Sequence, residues 1–360
     1  MSKADGMNYA PKGKPNPVCN KVEFVFAAVG LDHGHIYGMC NGLIEAGGEL
    51  KWVYDEDESK VEAFQRTYPS ARAARSLQEV LQDPEVHLVA SAKVPADRAP
   101  LGIQVMNHGK DYFVDKPPLT TLEQVQQVRD TVAKTGRKYA VYYSERLHVE
   151  SAVFAGQLIQ DGAIGRVVQV IGMGPHRIGL SGRPDWFFKP ERYGGILCDI
   201  GSHQIEQILF YTGCDDATIT QSRIANYRYK EYPEFQDFGD CQLNLANGAA
   251  GYFRVDWFTP DGLRTWGDGR TFILGTHGYI ELRKYIDIGR DEQGDHVYLV
   301  NDEGEYHIPV SGRVGYPFFG DLILDCLERT ERAMTQEHAL KAAELAVLAQ
   351  RQAVRLEGAQ

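Results

Sequence analysis

Short apolar runs alternate with helical patterns between residues 22 and 145, and this alternation restricts the fold more than any other feature of the chain. The predicted strands are "VEFVFAAVG", "LKWVYD", "VHLVASA", "DYFVD" and "KYAVYY". The first is a continuous apolar run, which is typical of a strand buried on both faces. Strands and helices in this order predict a parallel sheet covered by helices on both sides.

The pattern changes after about residue 165, where short alternating stretches such as "GYFRVDWF" and "GYIELRKY" are separated by Gly, Asn and Asp. They predict the antiparallel strands of one large sheet. Since 360 residues are too many for one ordinary core, we expect an α/β domain followed by an α+β domain. The predicted bounds are a flexible tail over 1–20, a first domain over 21–147 and a second over 148–360, with a terminal helix over 335–357.

The composition excludes several classes of protein. The formal net charge is −11 without a long basic run, which argues against binding to nucleic acid or to an anionic membrane. No apolar stretch approaches the ~18 residues of a membrane span, and the first 20 residues lack the apolar core of a secretion signal. The six cysteines are scattered, which favours free thiols in a reducing cytoplasm. We expect a cytoplasmic protein with no metal site.

The sequence "VGLDHGH", residues 29–35, connects the first predicted strand to its helix, where a dinucleotide diphosphate binds backbone N–H groups. The usual spacing is G-x-G-x-x-G, but Asp32 and His35 occupy the second and third glycine positions. The loop is therefore a damaged nucleotide loop, a metal site of Asp32, His33 and His35, or a working variant. We favour the variant, because three ligands in four residues of a tight turn rarely all point inward. The residues assigned to the cofactor here are Gly30, Leu31, Asp32, His33, Gly34 and His35.

A carboxylate after the second strand supports the nucleotide interpretation. Such an acid is expected about 20 residues after the first glycine, where it binds the adenosine ribose. The sequence "YDEDE" supplies Asp55, 25 positions after Gly30, and neither Arg nor Ser follows at once to accept a 2′-phosphate. This predicts an N-terminal Rossmann dinucleotide-binding domain that uses NAD, with NADP less favoured. The segment "AKVPADRA" places Val94 and Pro95 beside the same cofactor.

Two further motifs carry candidate catalytic groups. The motif "FVDKPPLT" ends a predicted parallel strand with Asp115 and Lys116, and ligands bind at the carboxyl ends of such strands. The motif "GGILCDIGSHQIE" places Asp199 and His203 four residues apart on one helix face, followed by Glu206. An acid one turn from a histidine can orient the imidazole and hold its charged form. The alternatives are a surface lysine and a buried structural histidine.

Taken in order, "VGLDHGH", "YDEDE", "DKPP" and "GGILCDIGSHQIE" resemble the nucleotide loop, ribose acid, E-K-P motif and D-x-G-x-H-x-x-D motif of the glucose–fructose oxidoreductase / inositol dehydrogenase (Gfo/Idh/MocA) family. The resemblance covers roughly residues 22–358. It implies a Rossmann domain, an open-faced sheet domain that commonly mediates dimers, and NAD(P)-dependent oxidation or reduction of a sugar-like alcohol. The chain departs from the family pattern at Asp32 and His35, at Asp115 in place of Glu, and at Glu206 in place of the final Asp.

For hydride transfer we assign His203 as the general base, oriented by Asp199, and Lys116 as the group that stabilises the alkoxide or is itself the base. The segment "HRIGLSGRPDWFFKPERYGG" supplies further substrate contacts, although an aromatic core with surface arginines is the alternative for these residue types. The predicted substrate-binding residues are His176, Arg183, Trp186, Tyr193, Asp199 and His203.

Together with the assigned residues, the resemblance implies an NAD(P)-dependent dehydrogenase of a sugar, inositol or related polyol. It also implies a homodimer or homotetramer formed through the C-terminal sheet. Two rival functions remain, and the first of them would use the same three residues. An NAD-dependent glycosidase would oxidise its sugar transiently and consume no net NAD, and a sensor would bind NAD without turnover. Lys116, Asp199 and His203 together argue against the sensor, which has no need of all three.

Overall fold

The computed structural model describes residues 5–20, 22–290 and 292–356. Residues 1–4 of the predicted tail and residues 357–360, which include the last residue of the predicted terminal helix, lie outside the described residues. The chain divides into two compact units. The first unit comprises Met7–Tyr142 and Pro317–Leu340, and the second comprises the described parts of Met1–Gly6, Tyr143–Tyr316 and Lys341–Gln360.

The first unit contains a six-stranded sheet in which all neighbouring strands are parallel, as the alternation of strands and helices predicted. In chain order its strands are β1 (Val25–Val29), β2 (Glu49–Tyr54), β3 (Arg72–Ala73), β4 (Val86–Ser91), β5 (Asp111–Asp115) and β6 (Tyr139–Tyr142). The spatial order is β3-β2-β1-β4-β5-β6. All residues of β1 and β5 are buried, which explains why these strands are continuous apolar runs.

Helices follow these strands at α1 (His35–Glu45), α2 (Glu58–Thr67), α3 (Leu77–Gln82), α4 (Pro95–Asn107) and α5 (Leu122–Thr135). Three begin at a side-chain cap, because Asp57, Ser76 and Thr121 accept hydrogen bonds from backbone N–H groups of the first turn. Only residues 30–34 separate the end of β1 from the N-terminus of α1, which is the positive end of the helix dipole. The candidate nucleotide loop therefore lies at this N-terminus.

The second unit contains a nine-stranded sheet in the order β14-β13-β12-β11-β7-β10-β9-β8-β15. Its strands are β7 (Val167–Pro175), β8 (Ala217–Ala225), β9 (Phe238–Leu245), β10 (Ala250–Asp256), β11 (Arg270–Gly275), β12 (Gly278–Arg283), β13 (His296–Asn301), β14 (Gly304–Pro309) and β15 (Val354–Arg355). The predicted large, mostly antiparallel sheet is confirmed, with β10–β7 and β15–β8 as parallel pairs. Buried and accessible residues alternate along β11, so this sheet has one covered face and one open face.

The helices of the second unit are α6 (Ser144–Leu147), α7 (Glu150–Gln160), α8 (Pro190–Tyr193), α9 (Ile196–Asp199) and α10 (Gly201–Thr212). Helix α10 packs closely on β7, because a Cβ at Gly172 would lie 2.3 Å from Gln204 Oε1. The candidate catalytic histidine is therefore carried by a helix that is fixed to the sheet. None of the helices in the described ranges combines the length and the apolar character that crossing a membrane requires.

The chain ends with α11 (Pro317–Glu328) and α12 (Gln336–Arg351), and the division between the units falls within α12. The structure differs here from the predicted boundaries, which placed everything after residue 148 in one domain. Helix α11 clusters with the first unit, because Phe318 packs 5.8 Å from the Phe113 ring and Phe319 lies against Gly42 of α1. Apolar residues of this helix complete the core of the first unit.

Residues 5–20, for which the sequence predicted a loose tail, make specific backbone contacts. Gly13 N–H donates to Glu45 Oε2 (2.9 Å), Asn16 N–H to Glu45 O (3.0 Å) and Val18 N–H to Ala46 O (2.9 Å). The segment is therefore bound to the carboxyl end of α1.

Candidate active site

Gly30 follows β1 and begins the loop that the sequence assigned to a nucleotide. Its φ of +74° lies in the left-handed region, and a Cβ there would be 2.8 Å from Lys93 Cβ, so the position requires glycine. Its N–H donates to Tyr54 O (3.0 Å) and its carbonyl accepts from Ala92 N (3.0 Å). The loop therefore leaves the sheet from between β2 and β4.

Two backbone donors in this loop are available to a ligand. Within the described ranges, the N–H groups of Asp32 and Gly34 have no acceptor. They precede α1, whose N-terminus favours a bound anion. A side chain at Gly34 would be excluded, because its Cβ would lie 2.3 Å from Met7 O. Two free donors beside a helix N-terminus fit the diphosphate of a dinucleotide.

Asp55 directly follows β2 and lies beside the loop. Its Oδ2 accepts from Leu31 N–H (2.6 Å) and its Oδ1 accepts from Asp57 N–H (2.9 Å). Each carboxylate oxygen has a further lone pair, so Asp55 can still accept ribose hydroxyl groups. A cavity of about 430 Å³ adjoins it, with Gly30, Asp32, Asp55, Lys60, Lys93 and Val94 among the lining residues. The cavity therefore lies beside the acid that the sequence assigned to the adenosine ribose.

The structure separates Asp32 from the two histidines with which the metal hypothesis grouped it. Asp32 Oδ1 lies 2.6 Å from Lys60 Nζ, and its Oδ2 accepts from Val94 N–H at 3.1 Å. His33 and His35 instead meet Asp115, whose oxygens lie 3.4 Å and 2.8 Å from their Nδ1 atoms.

These two histidines and Asp115 offer three possible ligand atoms, all within 4.8 Å of one another. However, Arg98 Nη2 lies 3.0 Å from Asp115 Oδ2 and already supplies a positive charge to this carboxylate. A divalent cation would have to compete with that guanidinium and with the charge of Lys116, which lowers the pKa of His33. The cluster is better explained as a buried hydrogen-bonded network.

Burial and neighbouring charges act differently on the members of this network. Burial, followed by the electrostatic effect of the neighbouring His35, holds the pKa of His33 well below its usual value, so His33 is neutral. Burial alone would raise the pKa of Asp115, but His35 and Arg98 outweigh it and hold this pKa well below the usual range. Asp115 is therefore a permanent anion within a site that is almost closed to solvent.

Lys116 is attached to this network through its backbone. Its N–H donates to Asp115 Oδ1 (2.8 Å), and the residue is only 4% exposed, unlike a surface lysine. Val94 and Pro95 are the N-cap and the first residue of α4 in the same unit. The first unit therefore brings together the loop, Asp55, Val94 and the Asp115–Lys116 strand end at the carboxyl edge of one parallel sheet.

In the second unit, Asp199 ends α9 and His203 lies in the first turn of α10. Ile200 between the two helices has right-handed helical dihedrals (φ −86°, ψ −36°), so the predicted helical spacing is nearly preserved. Both side chains are buried, and the His203 ring lies 6.3 Å from that of Tyr143. Glu206, one turn further, accepts from Arg146 Nε at 2.7 Å and belongs to a buried ion pair.

His176 and Arg183 are surrounded by aromatic rings. The His176 ring lies 4.5 Å from that of Trp266 and 5.4 Å from that of Trp257. The Arg183 guanidinium lies 4.3 Å from the Phe187 ring. Burial lowers the pKa of Arg183, while the charges of Asp5 and Asp199 oppose that shift. The acid assigned to His203 is therefore also electrostatically coupled to a predicted substrate residue.

Tyr193 and Trp186, predicted to form a sugar-stacking wall, differ in their surroundings. Tyr193 is 1% exposed and stacks 5.9 Å from Phe187, which corresponds to the aromatic-core alternative. Trp186 is half-buried and meets the same ring edge-on at 6.3 Å. Trp186 thus has the more accessible ring of the two.

The sequence did not single out several polar residues that the structure places at or near these sites. Lys60 and Arg98 contact the loop acid and the strand-end acid of the first unit. In the second unit, the carboxylate of Glu145 lies 2.9 Å from Gln204 Nε2 and 3.3 Å from Lys284 Nζ. The acidic charges of Asp32 and Asp115 could have suggested basic partners, but nothing in the local sequence identifies which ones.

Comparison with known proteins identifies the family of the chain. A family model described as the oxidoreductase family, NAD-binding Rossmann fold, matches residues 28–143, and one for the Gfo/Idh/MocA C-terminal domain matches residues 153–281. A crystal structure from Erwinia carotovora atroseptica SCRI1043 is similar, with 52% identity, a TM-score of 0.90 and coverage of 93% of this chain and 100% of that chain.

More distant relatives have named activities. The scyllo-inositol 2-dehydrogenase (NAD(+)) of Bacillus subtilis (strain 168) is 25% identical over 65% of this chain. The chain spans 66% of the length of that relative, just under two thirds. A levoglucosan dehydrogenase in complex with NADH and L-sorbose has a TM-score of 0.74 at 17% identity, over 91% of this chain and 96% of that one. This last similarity concerns the fold alone.

Proposed function

The chain belongs to the Gfo/Idh/MocA family of oxidoreductases and has its NAD-binding Rossmann fold, and we propose that it transfers a hydride between NAD and a secondary alcohol of a sugar, inositol or related polyol. The observation that carries the proposal is the strand-end network of the first unit. Asp115, Arg98 and the loop histidines form a buried network that holds the backbone of the buried Lys116 beside a loop with two free backbone donors. A protein that only binds NAD does not need a buried lysine at this strand end.

The side chains divide the work of the reaction. When bound, NAD supplies the hydride acceptor or donor. Lys116 would hold the reacting oxygen and stabilise the negative charge that develops on it. His203, whose orientation Asp199 would set, would take the hydroxyl proton in the oxidation direction and return it in the reduction. If Lys116 is itself the base, His203 would serve to orient the hydroxyl group.

The substrate class is supported by residue chemistry and by the relatives. His176, Arg183 and the half-buried Trp186 combine hydrogen-bonding groups with aromatic surface, which suits a polyhydroxylated ring. The scyllo-inositol 2-dehydrogenase similarity points to the same class. For the cofactor we propose NAD rather than NADP, because acids at Asp55, Glu56 and Asp57 would repel a 2′-phosphate.

We also propose that two copies pair through the open face of the nine-stranded sheet. Leu274 and Tyr279 are directly paired across β11 and β12, and each is 46% exposed. Phe272 and Ile171 extend the same face, so pairing would cover an apolar surface. Light scattering on the purified protein should give twice or four times the 40.3 kDa chain mass. A monomer at all concentrations would contradict this assembly.

A cofactor and substrate screen tests the proposed reaction. The protein is incubated with NAD or NADP and a panel of inositols, polyols, aldoses and glycosides, and the nicotinamide absorbance is followed. We expect NAD reduction with at least one alcohol, and its loss in K116A and H203A. Glycoside cleavage without net reduction would instead indicate the glycosidase. Tight NAD binding without turnover on any compound would indicate the sensor.

A further inference from the structure

The aspartate in the nucleotide loop raises an electrostatic problem. Asp32 occupies a position where the usual spacing has glycine, and it lines the cavity. It also belongs to the loop that carries the two free N–H donors, those of Asp32 and Gly34. The diphosphate of NAD is itself negatively charged. An aspartate this close would repel it and weaken binding unless its charge were neutralised.

Lys60 supplies the opposite charge. It lies in the first turn of α2, and its Nζ is 2.6 Å from Asp32 Oδ1 and 3.8 Å from Asp55 Oδ1. The side chains are 34% and 16% exposed for Lys60 and Asp32, so solvent screens the pair only in part. Burial would lower the pKa of Lys60, but its hydrogen bond to Asp32 and the surrounding acids raise it, and Lys60 therefore remains charged.

Asp32 is also held in place by its second oxygen. Oδ2 accepts from the backbone N–H of Val94, the N-cap residue of α4, at 3.1 Å. Together the two contacts orient the carboxylate toward α2 and α4. The N–H groups of Asp32 and Gly34 are left for a ligand.

We propose that Lys60 is a positioning residue for NAD, which neutralises Asp32 and holds its carboxylate so that the loop accepts a diphosphate without the second glycine. Lys60 acts through Asp32 and does not contact the diphosphate. This inference rests on the NAD-binding fold and is independent of the substrate and of the hydride-transfer step.

A double-mutant cycle on NAD binding tests the inference. The dissociation constant is measured by calorimetry for the full-length wild type, K60A, D32N and D32N/K60A. Asparagine keeps the shape of Asp32 and an acceptor for Val94 N–H while it removes the charge. We expect K60A to raise Kd about tenfold, equivalent to about 1.4 kcal/mol, D32N to bind at least as tightly as wild type, and the double variant to lie within about threefold of wild type.

Two results would overturn the proposal. If D32N/K60A binds as weakly as K60A, Lys60 acts by contacting NAD itself and not through Asp32. If K60A binds as tightly as wild type, the charge of Asp32 needs no neutralisation. K60R should retain most of the affinity, because it preserves the positive charge near Asp32.

Lys51 provides a matched control. Its Nζ forms an ion pair of the same length with Asp83, 2.6 Å, in the same unit but away from the residues that line the cavity. K51A should leave Kd unchanged. Thermal unfolding without NAD separates binding from folding, and K60A should shift the melting temperature by at most about 3 °C, because partly exposed ion pairs contribute little to stability.

Discussion

Each unit contains a buried ion pair between an arginine and a carboxylate, and the two pairs have different roles. Arg98 and Asp115 in the first unit are 1% and 0% exposed, and Arg146 and Glu206 in the second are 9% and 0% exposed. Each pair lies close in sequence to a candidate catalytic residue. Asp115 directly precedes Lys116, and Glu206 is one helical turn after His203.

The difference lies in what else each arginine contacts. Arg98 also donates to Lys93 O (2.6 Å) and Pro117 O (3.0 Å), so one guanidinium connects backbone on both sides of the strand-end site. Arg146 lies 3.8 Å from the ring of Phe210, in the same helix as Glu206, and packs α6 against α10. The first pair thus orders the backbone around the candidate cofactor site, and the second pair mainly joins two helices.

Substitution of the two catalytic candidates should have the largest effect. General acid–base groups typically contribute 10²–10⁴-fold, so we expect K116A and H203A each to lower kcat by about that factor once a substrate is known. Because the Arg98–Asp115 and Arg146–Glu206 pairs are unchanged in both variants, NAD binding measured by calorimetry should remain within about threefold of wild type.

The pH profile distinguishes the two candidate bases. If His203 is the base, H203A should abolish the acidic limb of the pH dependence of kcat/KM, while K116A retains it. Wild-type turnover by both variants would exclude the assigned chemistry in either form.

Removal of each arginine tests the comparison between the two pairs directly. R98A and R146A each remove the arginine partner of a buried carboxylate, so each should lower the free energy of unfolding by about 3–5 kcal/mol in urea denaturation. Only R98A should also weaken NAD binding, because only Arg98 holds the backbone at Lys93 and Pro117. Equal effects of the two variants on Kd would mean that the pairs do not differ in role.

Features that depend on local sequence patterns could be predicted, whereas pairings that depend on tertiary packing could not. The parallel sheet, its strand ends and the spacing from Gly30 to Asp55 follow from local patterns, because the carboxyl ends of parallel strands meet at one edge. The structure accordingly places Gly30, Asp55 and Lys116 at that edge of the first unit. Lys60 and Arg98 were missed, because each is a basic residue in a helix whose pairing depends on three-dimensional packing.

The second unit was less predictable for a related reason. Tyr193 and Trp186 are both aromatic residues of one segment, and only tertiary packing makes the former a buried core residue and the latter half-buried. The return of α11 to the first unit was also missed, because the apolar face of a helix does not specify which sheet it will cover. Phe318 and Phe319 would fit either core by composition alone.

A change at Asp55 should have an intermediate effect, confined to the first unit. D55N retains acceptors for Leu31 N–H and ribose hydroxyls but loses the charge, and a hydrogen bond to a charged group is worth about 1 kcal/mol more than a neutral one. We therefore expect Kd for NAD to rise about fivefold to tenfold, with less change for NADP. Calorimetry with both cofactors measures this, and an unchanged ratio would contradict the ribose assignment.

Asp295 of the second unit has no arginine partner among the contacts described, and its pKa is shifted in the direction opposite to that of Asp115. Its Oδ1 accepts from Ser151 N–H (2.8 Å) and from the Ser151 hydroxyl (3.0 Å), which are neutral donors. Burial raises the pKa of Asp295 to about 6, against the lowering effect of these hydrogen bonds. Asp115, which does have an arginine, has its pKa shifted in the opposite direction.

The smallest predicted effect follows from the opposite directions in which the pKa values of Asp295 and Asp115 are shifted. Between pH of about 4 and 6 the folded state binds a proton at Asp295 more tightly than the unfolded state does, so stability falls as the pH rises through that window. D295N removes this cost and should stabilise the protein by about 1 kcal/mol above pH 6, less than the full shift implies because the residue is partly exposed. The gain should shrink toward pH 4.

D115N should instead destabilise the protein at neutral pH. The low pKa of Asp115 stabilises the fold there, and this contribution is lost on acidification. Urea denaturation at several pH values compares the stability of D295N and D115N with that of the wild type. If both substitutions change the stability in the same direction at neutral pH, Arg98 does not cause the difference between Asp115 and Asp295.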